Sequence, residues 1–495
     1  MTSTLLTNIH TLVPMSGTRT QAAPPIHNAA VFIEDNIITW VGKTEELKIE
    51  NEQLKIDGQA AIILNSQFSI LNLRDSVVLP GLVNTHHHLY QTLTRCIAQD
   101  SGLFNWLKTL YPIWLGLTGE AIYTSALTGM AELMLSGCTT ASDHLYIYPN
   151  DCTIDDEIRA AKDTGLRFHA TRGSMSLGES KGGLPPDKAT EDEAFILKAS
   201  QAAIEAHHDK NRHAMIRVAL APCSPFSVTT DLMRESARMA RHYGVMLHTH
   251  LAETRDEDAF CLSMFGKRPL DYAESVEWLG DDVWYAHGVH FSRDDAHRMG
   301  ACGCGVAHCP SSNMRLASGI APVKFMLGAG VKIGLGVDGS ASNDGNHLLA
   351  EARQAMLLSR VNDESFGSLP PTPKGELSSP TVPPLGAGGS GGSLSAYEAL
   401  WLATRGGASV LGRDDIGQIA PGMSADLIAI NLKRVEYAGA LHDPLAAVLF
   451  CAPRGVDFSM VNGRVVVNES QLTTLDLTPV IEHHNAISKR MINRE

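Results

Sequence analysis

No stretch of eighteen apolar residues occurs in the 495-residue chain, so a membrane-spanning helix is not expected. Positive charge is also scarce: 40 Lys and Arg stand against 54 Asp and Glu, a formal net charge of −14. A partner for nucleic acid needs a basic surface to displace counterions, so the charge argues against DNA and RNA, and any nucleobase handled is expected to be a free base. The N-terminus "MTSTLLTNIHTLVPMSG" lacks a basic stretch followed by an apolar one, which argues against a signal peptide. Cysteines are few and odd in number, nine in all, which suggests free thiols in a reducing, cytoplasmic compartment. No internal repeat is visible. What remains is the composition of a soluble globular protein with a large core: 44% hydrophobic and 19% charged residues.

The middle of the chain alternates two patterns. Eight short apolar segments with strand character end near His86, Asp143, His169, Cys223, His250, His287, His308 and Asp338. Between them lie amphipathic stretches such as "AIYTSALTGMAELMLSG" and "DLMRESARMARHYG". Eight strand–helix units predict an α/β fold, a (β/α)8 TIM barrel, whose chemistry sits at the C-terminal ends of the strands. Residues 1–78 and 421–495 carry short β-like runs that can pair into one small β-sandwich side domain, and the tail reads as a final helix. The barrel is expected over 79–420. Residues 363–393 are rich in Pro, Gly and Ser, a composition that cannot bury a core, and read as a flexible insertion.

Within that frame "NTHHH" stands out. In an extended chain, residues two apart point the same way. His86 and His88 therefore aim together into the barrel mouth, while His87 points away. "HTHLAET" adds His250 at the fifth strand end, with Glu253 three residues later, and "GVDGS" adds Asp338 at the eighth. Three imidazoles and a carboxylate suit one Zn²⁺, or Fe²⁺, with room for water. His248 shares a strand face with His250, open to a supporting or a pocket role. Cys302, Cys304, His308 and Cys309 in "CGCGVAHCP" read as core packing, since alternate strand residues face opposite sides. His207, His208, His483 and His484 read as solvated helix residues. Trp106 and Lys108 read as loop packing or as pocket lining.

"GLVNTHHHLYQTLTR", "HTHLAET", "AHGVH", "AHCPSSNMRLASG" and "GVDGSASND" together resemble the amidohydrolase superfamily, in its aminohydrolase branch. The resemblance spans the chain except for 363–393. The segments "TRGGASVLGRDDIGQIAPGMSADLIAI" and "GALHDPLAAVLFCAPRGVDFSMVNGRVVV" are similar to the 8-oxoguanine deaminases, with hydroxyatrazine aminohydrolases and isoxanthopterin deaminases next. This implies a metal-dependent hydrolytic deaminase that converts 8-oxoguanine to uric acid and ammonia; a hydroxylated s-triazine, a pterin or guanine is the alternative substrate. It implies that His86, His88, His250 and Asp338 hold one Zn²⁺ per chain, that Glu253, His287 and Asp338 are catalytic, and that Gln91 contacts the substrate ring. Relatives with two metals carry a lysine at the fourth strand end; "LAPCSPFS" has none, so one ion is implied and Cys223 is available to line the pocket. Arg172, Trp106 and Lys108 complete the expected substrate-binding set. A homo-oligomer is expected. The other class of zinc deaminase needs H-x-E with P-C-x-x-C, and "PCSPF" lacks the second cysteine.

Overall fold

The computed structural model describes residues 2–50, 53–56, 62–63, 68–362, 393–451 and 454–493. The insertion expected at 363–393 lies, except for Ser393, outside the described residues. The chain opens with β1 (Ser3–Leu12), β2 (Ile26–Glu34) and β3 (Ile37–Lys43). A small antiparallel sheet follows, of β4 (Leu47–Glu50), β5 (Gln53–Ile56) and β6 (Ile62–Ile63), and then β7 (Phe68–Asn72) and β8 (Ser76–Pro80). The barrel strands are β9 (Leu82–Asn84), β10 (Cys138–Leu145), β11 (Arg167–Ser174), β12 (Ile216–Pro222), β13 (Leu247–Leu251), β14 (Val283–His287), β15 (Gly305–His308) and β16 (Lys332–Leu335). They close as a parallel ring of eight, with β16 returning to β9 through Leu335 and Asn84. The chain ends with β17 (Leu427–Asn431), β18 (Phe458–Val461), β19 (Arg464–Asn468), β20 (Gln471–Leu472) and a helix over Leu477–Asn493.

The barrel strands are buried along nearly their whole length, as parallel strands covered by helices must be. Of the helices α1 (Leu103–Trp114), α2 (Gly119–Leu135), α3 (Ile154–Thr164), α4 (Glu193–His207), α5 (Thr230–Tyr243) and α6 (Arg255–Phe265), α2 to α5 pack on the barrel strands. α5 shows how local sequence sets such an element. The Thr229 side chain accepts the Leu232 N–H at its start, and Gly244 ends it in the left-handed region at φ +67°. Between these caps Leu232, Met233, Ser236, Ala237 and Ala240 recur at helical spacing and turn one face to the barrel.

The two ends of the chain meet beside the barrel. β8 pairs antiparallel with β17, Leu427 opposite Pro80 and Asn431 opposite Ser76. This joins N- and C-terminal segments in one nine-stranded sheet. Leu5, Phe32 and Trp40 of that sheet pack against Leu54 of the small sheet, giving a sandwich of unequal leaves. No helix among the described residues is long and apolar enough to cross a membrane, and all nine cysteines are free thiols. One strand is displaced from expectation. His169 is the third residue of β11 rather than its last, and its Nε2 lies 3.5 Å from the Arg413 guanidinium at the end opposite the mouth.

Candidate metal centre and pocket

The chain leaves β9 extended, so His86 and His88 enter the mouth while His87 turns back, its Nε2 2.9 Å from Asn346 Oδ1. The backbone oxygen of His144, on β10, sits 2.7 Å from His88 Nδ1. Across the mouth, His250 on β13 places its Nδ1 2.7 Å from the Cys223 backbone oxygen. A carbonyl oxygen only accepts, so both Nδ1 atoms carry the hydrogen and both Nε2 atoms present a lone pair. Those two Nε2 atoms lie 3.1 Å apart. Burial lowers the pKa of His88 and takes that of His250 down to about 3, so neither ring supplies a proton to the gap. Two facing lone pairs at that distance call for a cation between them.

The remaining donors converge on the same point. Asp338 Oδ1 is 3.2 Å from His86 Nε2 and 3.4 Å from His88 Nε2. His86 Nε2 is fully buried and meets no hydrogen-bond partner. The donor atoms of His86, His88, His144 and His250 lie within 4.8 Å of one another, as do those of His86, His287 and Asp338. This is a buried metal-binding group of imidazole and carboxylate ligands, the donor set that suits Zn²⁺ or Fe²⁺. Gly336 makes the close approach practicable: a Cβ there would stand 2.8 Å from His86 Cβ.

A second set of groups flanks these ligands. His287 Nε2 lies 3.6 Å from Glu253 Oε2 and 3.9 Å from Asp338 Oδ2. Its Nδ1 is 2.9 Å from Asn313 Oδ1, which fixes the ring. Burial pulls the His287 pKa down, but the Glu253 and Asp338 carboxylates and Asn313 more than offset it, and the net shift is upward. Burial pushes Glu253 up to about 7. Asp338 is raised by burial but held well below the usual carboxylate range by the imidazoles of His86, His287 and His88. Glu253 is placed by Glu257 of α6, whose carboxylate accepts the Ala252 and Glu253 N–H groups at 2.9 Å each.

His88, His250, Glu253, His287 and Asp338 form one wall of a pocket whose non-atom space, open mouth included, is about 380 Å³. Gln91 and Cys223 line it, as does Trp106, whose Nε1 donates to the Ala341 backbone oxygen at 3.0 Å. Arg172 and Lys108 are not among its lining residues. Arg172 lies under the ring of Tyr148 and is held by Glu191 at 2.8 Å, while Lys108 is exposed on the outer face of α1, a helix rather than the expected loop. His484 is not solvated but buried, 2.8 Å from Thr92 Oγ1. His248 supports His86 from behind, 2.8 Å from its Nδ1. Cys302, Cys304 and Cys309 enter no metal-binding group among the described residues. Sequence reasoning missed His144 and the pocket residues Tyr111, Tyr146, Phe226, Leu316 and Ser342. His144 was in reach of it, because it neighbours Asp143 at a recognised strand end.

The model of the amidohydrolase family matches residues 77–466. The chain is 48% identical to 8-oxoguanine deaminase of Pseudomonas aeruginosa over 84% of its own length and 88% of that protein. It is 35% identical to hydroxydechloroatrazine ethylaminohydrolase of Pseudomonas sp. strain ADP, over 99% of this chain and 96% of that one. The crystal structure of atrazine chlorohydrolase from Arthrobacter aurescens, complexed with zinc, superposes with a TM-score of 0.85 at 29% identity, covering 98% of this chain and all of that one.

Proposed function

The chain belongs to the amidohydrolase family, and from that premise we propose that it is a metal-dependent deaminase of free aminated heterocycles, acting on 8-oxoguanine to give uric acid and ammonia. The observation that carries this reading is the meeting of three neutral imidazole lone pairs and the Asp338 carboxylate beside the Glu253–His287 pair, at 3.6 Å, on one pocket wall. His86, His88, His250 and Asp338 would hold one Zn²⁺, with Fe²⁺ the alternative. When bound, such an ion supplies Lewis acidity that brings the pKa of water toward about 7.

The chain's own groups then divide the proton work. Asp338, ionised beside His287 at 3.9 Å, accepts a proton from the attacking water. Glu253, whose pKa of about 7 leaves much of it protonated at neutral pH, donates to the ring nitrogen next to the amine-bearing carbon. His287, with one hydrogen on Nδ1 toward Asn313, carries a second proton at Nε2 as an imidazolium beside the Glu253 and Asp338 carboxylates, and donates from it to the new C–O oxygen, stabilising the tetrahedral adduct. Asp338 passes its proton to the leaving nitrogen. Water adds its oxygen to carbon, the C–N bond breaks, ammonia leaves, and the second water proton passes from the new oxygen back to Glu253 as the carbonyl forms.

The pocket walls fit a flat ring. Trp106, Leu107, Phe226 and Leu316 supply apolar surface, and Gln91 and Cys223 supply the polar contacts that discriminate substituents. Net charge of −14 favours a free base over nucleic acid. The nine free thiols support a reducing, cytoplasmic compartment. The test compares kcat/KM for 8-oxoguanine, guanine, isoxanthopterin and hydroxylated s-triazines under one set of conditions. 8-Oxoguanine should lead by about tenfold or more, since a site built to bond an extra oxygen rejects the analogue lacking it. Because the triazine ethylaminohydrolase aligns over 99% of this chain, a hydroxytriazine is the second reading. A lead of about tenfold by the triazine or the pterin would overturn 8-oxoguanine as the substrate.

A further inference from the structure

We infer that His248 is a positioning residue that fixes the tautomer of His86 and so keeps His86 Nε2 free as a metal ligand. The inference rests on the metal site proposed above. The chain of hydrogen bonds leaves one arrangement. His248 Nδ1 lies 3.0 Å from the Trp284 backbone oxygen, which only accepts, so His248 carries its hydrogen on Nδ1. Its Nε2 is then an acceptor. That atom is 2.8 Å from His86 Nδ1, which must donate to it. His86 is left with a bare lone pair on Nε2, the atom that faces Asp338 Oδ1 at 3.2 Å.

Without His248 the opposite tautomer would win. A hydrogen on His86 Nε2 could bond the Asp338 carboxylate directly across that 3.2 Å gap. Two ligands would then be tied to each other, and an incoming ion would have to displace the proton. A backbone carbonyl two steps away therefore sets the state of a ligand, with a second histidine as the relay. The relay is held in place by its ring, stacked on the Trp284 indole at 4.4 Å between centroids, while the indole N–H donates to the Thr85 backbone oxygen at 3.1 Å.

Two substitutions separate the relay from packing. The amide of His248→Gln falls where Nε2 was and can accept from His86. The shorter amide of His248→Asn falls where Nδ1 was, reaches the Trp284 oxygen, and leaves His86 without an acceptor. Both lose the stacked ring equally, so loss of packing is common to the two. The measurement is Zn²⁺ affinity of the metal-stripped, full-length proteins by competition with a chromophoric chelator, with thermal melting of the same samples. His248→Gln should bind within about threefold of wild type, and His248→Asn about 10- to 100-fold more weakly, the usual effect of removing the partner of a ligand. The inference is overturned if His248→Asn binds as tightly as wild type, or if His248→Gln binds as weakly as His248→Asn. Failure of the wild-type protein itself to bind Zn²⁺ would instead overturn the metal site on which the inference rests.

Discussion

His287 and Asp338 hold left-handed backbone, at φ +73° and +64°, as does Ala252, at +55°, just before Glu253. Each such residue costs on the order of 1–3 kcal/mol and persists where the surroundings over-determine it. Here the clamps are visible: Glu257 on the Ala252–Glu253 turn, Asn313 on the His287 ring, and the Gly339 N–H and Ser342 hydroxyl on Asp338, at 2.7 and 3.1 Å. If Glu253 shuttles a proton, Glu253→Gln should lower kcat by about 10²-fold or more while metal content stays unchanged. His250→Ala should lose the metal itself. Near-normal turnover of Glu253→Gln in a kinetic assay would refute the role. His86, His88, His250 and Asp338 were legible as candidate ligands because strand-end position and H-x-H spacing are local properties, whereas the roles of Glu253 and His287 came from the family resemblance. The clamps were not legible, since Asn313 and Glu257 act across turns whose geometry no spacing rule conveys. Arg172 illustrates the same limit: its place on a strand could be read, but not that Glu191 and Tyr148 would take its side chain.

Between elements, the first barrel turn is tied to its neighbours by buried acid. Asp143 of β10 accepts the Leu89 N–H at 2.6 Å, holding the turn that carries Gln91. Glu157 of α3 buries a second carboxyl beside it. Burial pushes Asp143 up to about 7 and raises Glu157 well above its ordinary value. The sign follows from the protonated forms being favoured by folding. Their stabilisation is complete below the ordinary carboxyl pKa of about 4 and is lost as pH rises through about 7. Glu157→Gln keeps a hydrogen-bond donor and removes one titration. Its melting temperature should therefore fall less than that of wild type between about pH 5 and about pH 7. Equal falls in the two proteins would show that the pair does not govern the slope. Eight strands were legible from their apolar runs, but the exact span of β11 was not, so His169 was placed at the wrong end. The segment with Trp106 hid its helical period, Leu103, Trp106, Leu107, Leu110, Tyr111 and Trp114, behind Pro112 and read as a loop.

At the scale of the whole molecule, barrel and side sheet are joined by a buried bidentate pair. Arg167 of β11 donates to both Asp426 oxygens, at 3.1 and 3.0 Å, and also to the His213 and Ala214 backbone oxygens. Removing one partner strands a buried charge, so Asp426→Ala should cost roughly 3–5 kcal/mol in denaturant unfolding while the metal ligands stay intact. A loss below about 1 kcal/mol would show that the pair contributes little to joining the two parts. That the chain ends pair with each other was legible in outline from their shared β character, whereas this ion pair, 259 residues apart in sequence, was not. The central claim, deamination dependent on one metal ion, is tested most directly by titrating metal-stripped protein with Zn²⁺ and following ammonia release from 8-oxoguanine. Activity should be absent at the start, rise in proportion to added ion, and reach its plateau at about one ion per chain, as a single set of four protein ligands with room for water implies. Full activity in the metal-stripped protein, or a plateau reached only at about two ions per chain, would contradict it.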